Sequence, residues 1–148
     1  VDQGVEAGHE DLYVTFVSTD NFAAAKVAGE YMAEQLGEGK VIIVRGANGS
    51  AAGDDRADGF KAGIEGSGLV LANEQPGDWT VDVAMQATEN MLQADPDISG
   101  IFCCSAGSAL SVFLLFLFPE VSFLTTGERH VQPGLSLIHR RIQASMQY

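Results

Sequence analysis

Residues 40–60, KVIIVRGANGSAAGDDRADGF, decide the fold. They open with a short apolar run, residues 40–44, of the kind found in strands that are covered on both faces of a parallel sheet. A glycine-rich loop, residues 46–53, follows this run. Asp54 and Asp55 then stand where acidic residues favour the start of a helix, because the free backbone N–H groups there carry partial positive charge. The stretch therefore predicts a strand, a loop and a helix in that order.

The same alternation continues on both sides of this stretch. Asp20 and Asn21 are good residue types for capping a helix, although such a cap near a strand end can also border a cleft. Apolar residues then recur at helical spacing until Gly37. The predicted strands are residues 13–18, 40–44, 69–72 and 98–104, and the predicted helices are residues 21–36, 54–65 and 81–92. This alternation predicts an α/β fold, a three-layer open parallel sheet flanked by helices.

The composition limits the possible functions. At 148 residues with 46% hydrophobic side chains, the chain is long enough for one domain with a real core. The formal net charge of -12 disfavours nucleic acid and anionic membrane surfaces, since binding either needs clustered Lys and Arg. The apolar run at residues 112–118 is far shorter than the ~20 residues that span a bilayer. We therefore expect neither a nucleic-acid partner nor membrane insertion.

The charge is unevenly distributed along the chain. Residues 1–102 contain 18 Asp and Glu against 5 Lys and Arg, whereas residues 103–148 contain 2 against 3, and together these restore the totals of 20 and 8. The run at residues 112–118 also has no amphipathic period, and no structure is predicted beyond about residue 110. A tail read from a shifted frame, or joined from elsewhere, would explain the break at residue 103. The coding DNA tests that hypothesis.

Four stretches occur in the order and spacing of a known family. They are residues 1–2 (VD), residues 14–31 with VTFVSTDN and AGEY, residues 46–60, and residues 95–102 (DPDISGIF). Together they resemble the C-terminal lobe of the ribose/galactose-type periplasmic binding proteins, a family related to the sensor domains of LacI-type repressors. The resemblance covers residues 1–102 and leaves residues 103–148 as an atypical tail. It implies that a sugar lies between two lobes, bound by loops at the carboxyl ends of the strands.

Three residues match positions that bind sugar in that family. Asp2 matches an aspartate that accepts hydrogen bonds from sugar hydroxyls, although Gln3 replaces the arginine that often follows it. Arg56 matches an arginine whose fixed fork of donors grips ring or hydroxyl oxygens. Trp79 falls where the family places an aromatic ring against an apolar sugar face. The family's next ligand, in an Asn-Asp pair, is missing because residues 104–108 read CSAGS. The later Asp and Gln ligand segments and the N-terminal lobe have no counterpart.

Each of these residues also has a simpler interpretation. Arg56 could pair with Asp55 or Asp58 on the surface of its helix, an arrangement worth only tenths of a kcal/mol. Asp2 could be a solvated terminal carboxylate. Trp79 could be core packing, although its neighbours are typical of a surface loop. The resemblance, and not the spacing of the residues, favours the sugar-binding roles.

Other chemistry has little support in the sequence. The acidic residues 54–58 superficially read as a Mg²⁺ motif, yet a second acidic cluster is not recognisable. The loop at residues 46–53 lacks the pattern of a P-loop and that of a dinucleotide site. Cys103 and Cys104 are neighbours, which gives no disulfide framework, and they show no zinc-ligand spacing with the histidines. No nucleophile–base pair is recognisable, so we predict no catalytic residue, metal or cofactor.

The resemblance implies a non-enzymatic sugar-binding lobe whose closure is read by an ABC permease or a chemoreceptor. It implies a periplasmic location, or an extracellular one with a lipid anchor in the full-length protein, and a signal peptide that is cleaved or outside this chain. The alternative is the effector-sensing domain of a LacI-type regulator, and a small flavodoxin-like enzyme is a third possibility. Because the site is open where a second lobe would close it, we expect millimolar or undetectable affinity for sugar. We also expect an exposed interlobe surface that promotes self-association.

Overall fold

The computed structural model describes residues 8–12 and 14–117 as a parallel sheet with helices on both faces. A short 3-10 turn at Glu10–Leu12 precedes the main elements. The elements are α1 (Asn21–Leu36), β1 (Glu38–Arg45), α2 (Ala51–Ile64), β2 (Gly68–Pro76), α3 (Val81–Ala94), β3 (Ile98–Cys103) and α4 (Ala106–Leu117). Strands and helices alternate as the sequence predicts from residue 21 onward.

The three strands are parallel and lie in the order β2-β1-β3. Side chains of the central strand β1 alternate between two apolar clusters. Val41 and Ile43 pack with α1 and α2, whereas Ile42 and Val44 pack with α3 and α4. The sheet therefore lies between two layers of helices, which confirms the predicted three-layer α/β fold.

The core is centred on β1. Its residues 41–44 are completely buried, as expected for the central strand of a sheet that is covered on both faces. Phe60 of α2 stacks on Phe102 of β3, with ring centroids 4.2 Å apart and an angle of 11° between the ring planes. This stack ties α2 to the carboxyl-terminal half of β3, where the candidate site lies.

Helices α1 and α2 are in backbone contact because glycines line their interface. A Cβ atom on Gly59 would lie 2.2 Å from the carbonyl oxygen of Phe22, and one on Gly63 would lie 2.2 Å from the carbonyl oxygen of Lys26. Both distances are far inside van der Waals contact, so a side chain at either glycine would push the helices apart. The glycines therefore fix the first half of α1 against the second half of α2.

The predicted strand at residues 13–18 is wrong. Residue 13 lies outside the described residues, and residues 14–18 have no strand structure. Val14 and Val17 are 105% and 64% exposed. β-branched residues favour strands largely because they pack on a pleated, half-buried surface. These two valines meet no such surface, and their local preference is not realised.

Two boundaries differ from the prediction by three residues or more. Helix α2 begins at Ala51, with Ser50 as its N-cap, so the last residues of the predicted loop form the first turn of the helix. Strand β2 continues to Pro76, beyond the predicted end at residue 72. Turn-forming residues permit a helix or strand to end, but tertiary packing decides the residue at which it ends.

Helix α4 gives structure to a part of the tail for which none is predicted. Val112 and Leu115 are buried against α3 and β1, whereas Leu110 and Phe113 are exposed. One face of the apolar run thus belongs to the core, although the sequence shows no polar opposite face. Within residues 8–12 and 14–117, no helix is both long and apolar enough to cross a membrane. Residues 118–148 lie outside the described part, and a domain boundary at residue 102 stays a prediction.

Candidate functional site

The carboxyl ends of the three strands meet at one edge of the sheet. The chain leaves β1 at Gly46, β2 at Gly77 and β3 at Cys104. The Gly77 N–H donates to the carbonyl oxygen of Arg45 at 3.0 Å, and the Cys104 N–H donates to the carbonyl oxygen of Val44 at 2.9 Å. These bonds continue the sheet pairing into the loops. Ligands of open α/β sheets bind at this edge, so residues that project here are candidates for a binding site.

Arg56 reaches this edge from the second turn of α2. Its Nε donates to Oδ1 of Asn21 at 2.9 Å, and its Nη1 donates to the carbonyl oxygen of Cys104 at 2.7 Å. The alternative in which Arg56 pairs with an acidic neighbour on its own helix is not found among the described ion pairs, and Asp58 instead pairs with Lys61 at 3.3 Å. The guanidinium group therefore joins α2 to the start of α1 and the end of β3.

Trp79, the only tryptophan of the chain, lies beside Arg56. The guanidinium carbon of Arg56 is 5.8 Å from the centroid of the indole, within the range of cation–π attraction. The indole lies close to two glycines: a Cβ on Gly46 would be 2.2 Å from its Cζ2, and one on Gly53 would be 3.2 Å from the same atom. The half-buried ring also packs against the apolar cluster beneath α1 and α2. Trp79 thus packs into the core and borders the strand ends as well.

The backbone that carries the indole is strained. Asp78 and Trp79 have φ angles of 48° and 59°, in the left-handed region that bulky residues rarely adopt. Such conformations persist only where the surrounding structure holds them. Thr80 then caps α3, its hydroxyl accepting from the Val83 N–H at 3.4 Å. The turn between β2 and α3 is therefore held from both sides, by the packed indole and by the helix that follows.

The Arg56 guanidinium keeps donors to spare. An arginine has five N–H groups, and two of those of Arg56 are bonded to Asn21 and Cys104. Within the described part of the chain the other three have no protein partner, and no carboxylate pairs with this cation. A positioned cation with free N–H groups beside an indole can bind a molecule that offers several oxygen acceptors and an apolar face.

Arg45, which the sequence analysis does not single out, has a structural role. It pairs with Asp54 of α2 and, at 3.3 Å, with Glu74 of β2. Glu74 also forms an ion pair with Lys61 at 2.8 Å, and this carboxylate raises the pKa of Lys61. The carboxylates of Asp54 and Glu74 balance the charge of Arg45, and the ion pair with Asp54 connects α2 to the sheet. Opposite charges at a strand end and at the following helix start were the signal in the sequence.

The two cysteines face opposite sides of the sheet. Cys103 packs with the cluster under α3 and α4, and Cys104 with the cluster under α1 and α2. Both thiols are free, and burial raises the pKa of Cys103 to about 12 and that of Cys104 to about 11. Both thiols are therefore protonated at neutral pH. Among the described residues, no group of His, Cys, Asp and Glu is placed to hold a metal ion.

Asp20 and Asn21, which the sequence presents together as capping residues, have different roles. Oδ1 of Asp20 accepts the Ala23 N–H at 2.9 Å and caps α1. The Asn21 side chain, only 6% exposed, is instead the partner of Arg56. The sequence indicates Asn21 only as a capping residue that can border a cleft, and its bond to Arg56 is seen only in the structure. Asp2 lies outside the described residues, so its role stays a prediction, as do the ligand roles of Arg56 and Trp79.

Comparison with known proteins identifies related sequences. A family model described as "Periplasmic binding protein domain" matches residues 2–115. The ribose import binding protein of Haemophilus influenzae is 32% identical over 111 residues, which cover 74% of this chain and 37% of that protein. The ribose operon repressor of Halalkalibacterium halodurans is 32% identical over 95 residues, which cover 62% of this chain and 27% of the repressor. The chain therefore spans well under half the length of these relatives.

A solved structure has the same fold. It is the periplasmic solute-binding protein of an ABC transporter from Actinobacillus succinogenes, with bound D-allose. It matches with a TM-score of 0.70 at 26% identity, and the match covers 82% of this chain and 44% of that one.

Proposed function

We propose a function for this chain, which belongs to the periplasmic binding protein domain family. It is one sugar-binding lobe of an ABC-type solute-binding protein. Its ligand would be a monosaccharide, bound at the carboxyl edge of the sheet. Binding and release, and not bond breaking, would be the function. The relative from Haemophilus influenzae and the matched structure are both named as binding proteins of transport systems.

The observation that carries the proposal is the pair formed by Arg56 and Trp79. Three N–H groups of Arg56 that have no partner among the described residues, and a neighbouring indole 5.8 Å from the guanidinium carbon, lie at the edge where open α/β sheets bind ligands. The hydroxyl and ring oxygens of a sugar can accept from the N–H groups of Arg56, and its apolar face of C–H groups can pack on the indole of Trp79. We propose that Asp2 adds an acceptor for sugar hydroxyls, as the resemblance implies.

The affinity of the chain alone would be low. It spans 37% of the ribose import binding protein, and the site would be covered from one side only. Water then competes for each sugar hydroxyl, and the closure that excludes it is missing. We therefore propose a dissociation constant in the millimolar range, and a whole protein in which a second lobe closes on the sugar and presents the closed form to an ABC permease or chemoreceptor. The location would be periplasmic.

Sugar titration followed by ¹⁵N NMR tests the proposal, because it detects millimolar binding. The single indole N–H of Trp79 and the backbone amides near Arg56 should shift together on addition of D-ribose or D-allose. Xylose, galactose and glucose complete the panel, and glycerol serves as the control for non-specific polyol effects. A chain in which no sugar moves these resonances more than glycerol does would refute the proposed site. Micromolar affinity would contradict the part of the proposal that requires a second lobe.

The effector-sensing domain of a sugar-responsive repressor is a second candidate, favoured by the likeness to the ribose operon repressor. It would use the same site for the same class of ligand. The two functions differ in what precedes the lobes in the whole gene: a secretion signal supports transport, and a helix-turn-helix headpiece supports repression. Sequencing the complete reading frame decides between them.

A further inference from the structure

Asn21 occupies a fixed position at the start of α1. Asp20 caps the helix through the Ala23 N–H at 2.9 Å, so Asn21 is not needed as the cap. The carbonyl oxygen of the neighbouring Phe22 lies 2.2 Å from the position that a Cβ of Gly59 would take, so this end of α1 is in direct backbone contact with α2. Asn21 is 6% exposed as a result. Its side chain therefore has little freedom to leave its hydrogen-bonding partner.

That partner is the Nε–H of Arg56, 2.9 Å from Oδ1 of Asn21. A long arginine side chain has several rotatable bonds, and an unanchored one samples many rotamers at an entropic cost when it must bind. The bond at Nε and the second one from Nη1 to the Cys104 carbonyl, at 2.7 Å, hold two edges of the planar group. Two such points define the plane of the guanidinium, and the remaining N–H groups then have a set direction.

We infer that Asn21 is a positioning residue of the site: it aims the Arg56 guanidinium at the ligand before the ligand arrives. The effect of Asn21 on sugar binding rests on the proposed function, whereas its hydrogen bond to Arg56 can be tested without any sugar. Asn21 acts through Arg56, and its contribution to binding exists only while Arg56 is present. A purely structural asparagine would instead lower stability and leave the orientation of Arg56 unchanged.

The first experiment follows the Arg56 Nε–H resonance in the ¹⁵N-labelled full chain without ligand. Arg56→Lys assigns the resonance, since lysine has no Nε–H in that region of the spectrum. In Asn21→Ala the resonance should shift and exchange faster with water, whereas Asn21→Asp, which keeps an oxygen acceptor, should retain it. Asp20→Ala is the matched control, because it removes the cap of the same helix without removing the acceptor. An Arg56 Nε–H that is unchanged in Asn21→Ala overturns the inference.

The second experiment measures the effect on binding by titrating the same variants with D-ribose and D-allose. Asn21→Ala should weaken binding about ten-fold, the size expected for a hydrogen bond to a charged group, and Asn21→Asp should restore most of it. In an Arg56→Ala background, Asn21→Ala should have no further effect. Equal losses in both backgrounds would show that Asn21 does not act through Arg56. A wild-type chain silent to every sugar refutes the proposed function, while the Nε–H resonance still decides whether Asn21 holds Arg56.

Discussion

Gly46→Ala is the substitution that tests the arrangement of the site most directly. The new Cβ would lie 2.2 Å from Cζ2 of Trp79, whereas ordinary contact begins near 3.4 Å, so the two groups must separate by about 1.2 Å. The φ angle of Gly46 is not in the left-handed region, so the backbone itself accepts alanine. Overpacking of this kind destabilises proteins by about 1–3 kcal/mol, and the indole, set on an already strained turn, is the group that should yield.

Tryptophan fluorescence reports displacement of the indole specifically, because Trp79 is the only tryptophan in the sequence. In Gly46→Ala the emission should move to longer wavelength, acrylamide should quench it more strongly, and the urea midpoint should fall with an unchanged m-value. Gly107→Ala is the matched control, since a Cβ there meets nothing closer than the Ser105 hydroxyl at 3.9 Å. It should leave the emission alone and stabilise α4 slightly. A Gly46→Ala protein with wild-type emission, quenching and midpoint would place the indole elsewhere and refute the reasoning.

Three further predictions follow from the structure. Gly59→Ala, whose Cβ would meet the Phe22 carbonyl oxygen at 2.2 Å, should lower the free energy of unfolding by about 1–3 kcal/mol in urea titrations; an unchanged midpoint would contradict the close packing of α1 on α2. Burial raises the pKa of the Cys104 thiol from 9.0 to about 11, so the unfolded thiol ionises first and stability is lost as the pH rises above 9. At pH 10 the wild type should therefore lose about 1.4 kcal/mol more, relative to pH 7, than Cys104→Ala does, and equal losses would refute burial of the thiol. Arg56→Lys keeps the charge but removes the planar fork, and it should weaken sugar binding about ten-fold in the NMR titration; unchanged affinity would remove Arg56 from the site.

The fold could be predicted where local sequence and tertiary environment agree. The apolar residues 41–44 read as a strand buried on both faces, and the structure gives them helices on both sides. Residues 14–18 also favour a strand by residue type, but Val14 and Val17 are exposed and pack on no sheet, so the preference is not realised. Helix α4 is the opposite case, because an apolar run with no amphipathic period becomes a helix packed on α3. The local preference for strand or helix decides the structure only where tertiary packing also stabilises that element.

The site could be predicted only in part, for a reason that lies in the chain itself. Arg56 and Trp79 are predicted from the resemblance to a family, and the structure brings them together. The bond between Asn21 and Arg56 could not be predicted in this way, because the two residues are 35 positions apart in the chain, and the other partner of Arg56, the Cys104 carbonyl, is 48 positions from Arg56. A hydrogen bond to a backbone carbonyl also does not depend on the residue type at that position, so the sequence gives no sign of it. Loss of the family's Asn-Asp pair therefore need not displace Arg56, because replacements within residues 104–108 change side chains but leave the backbone carbonyl oxygen of residue 104, which accepts from Nη1. We therefore expect the missing Asn-Asp pair to remove its own contact with the ligand and to leave the orientation of Arg56 unchanged.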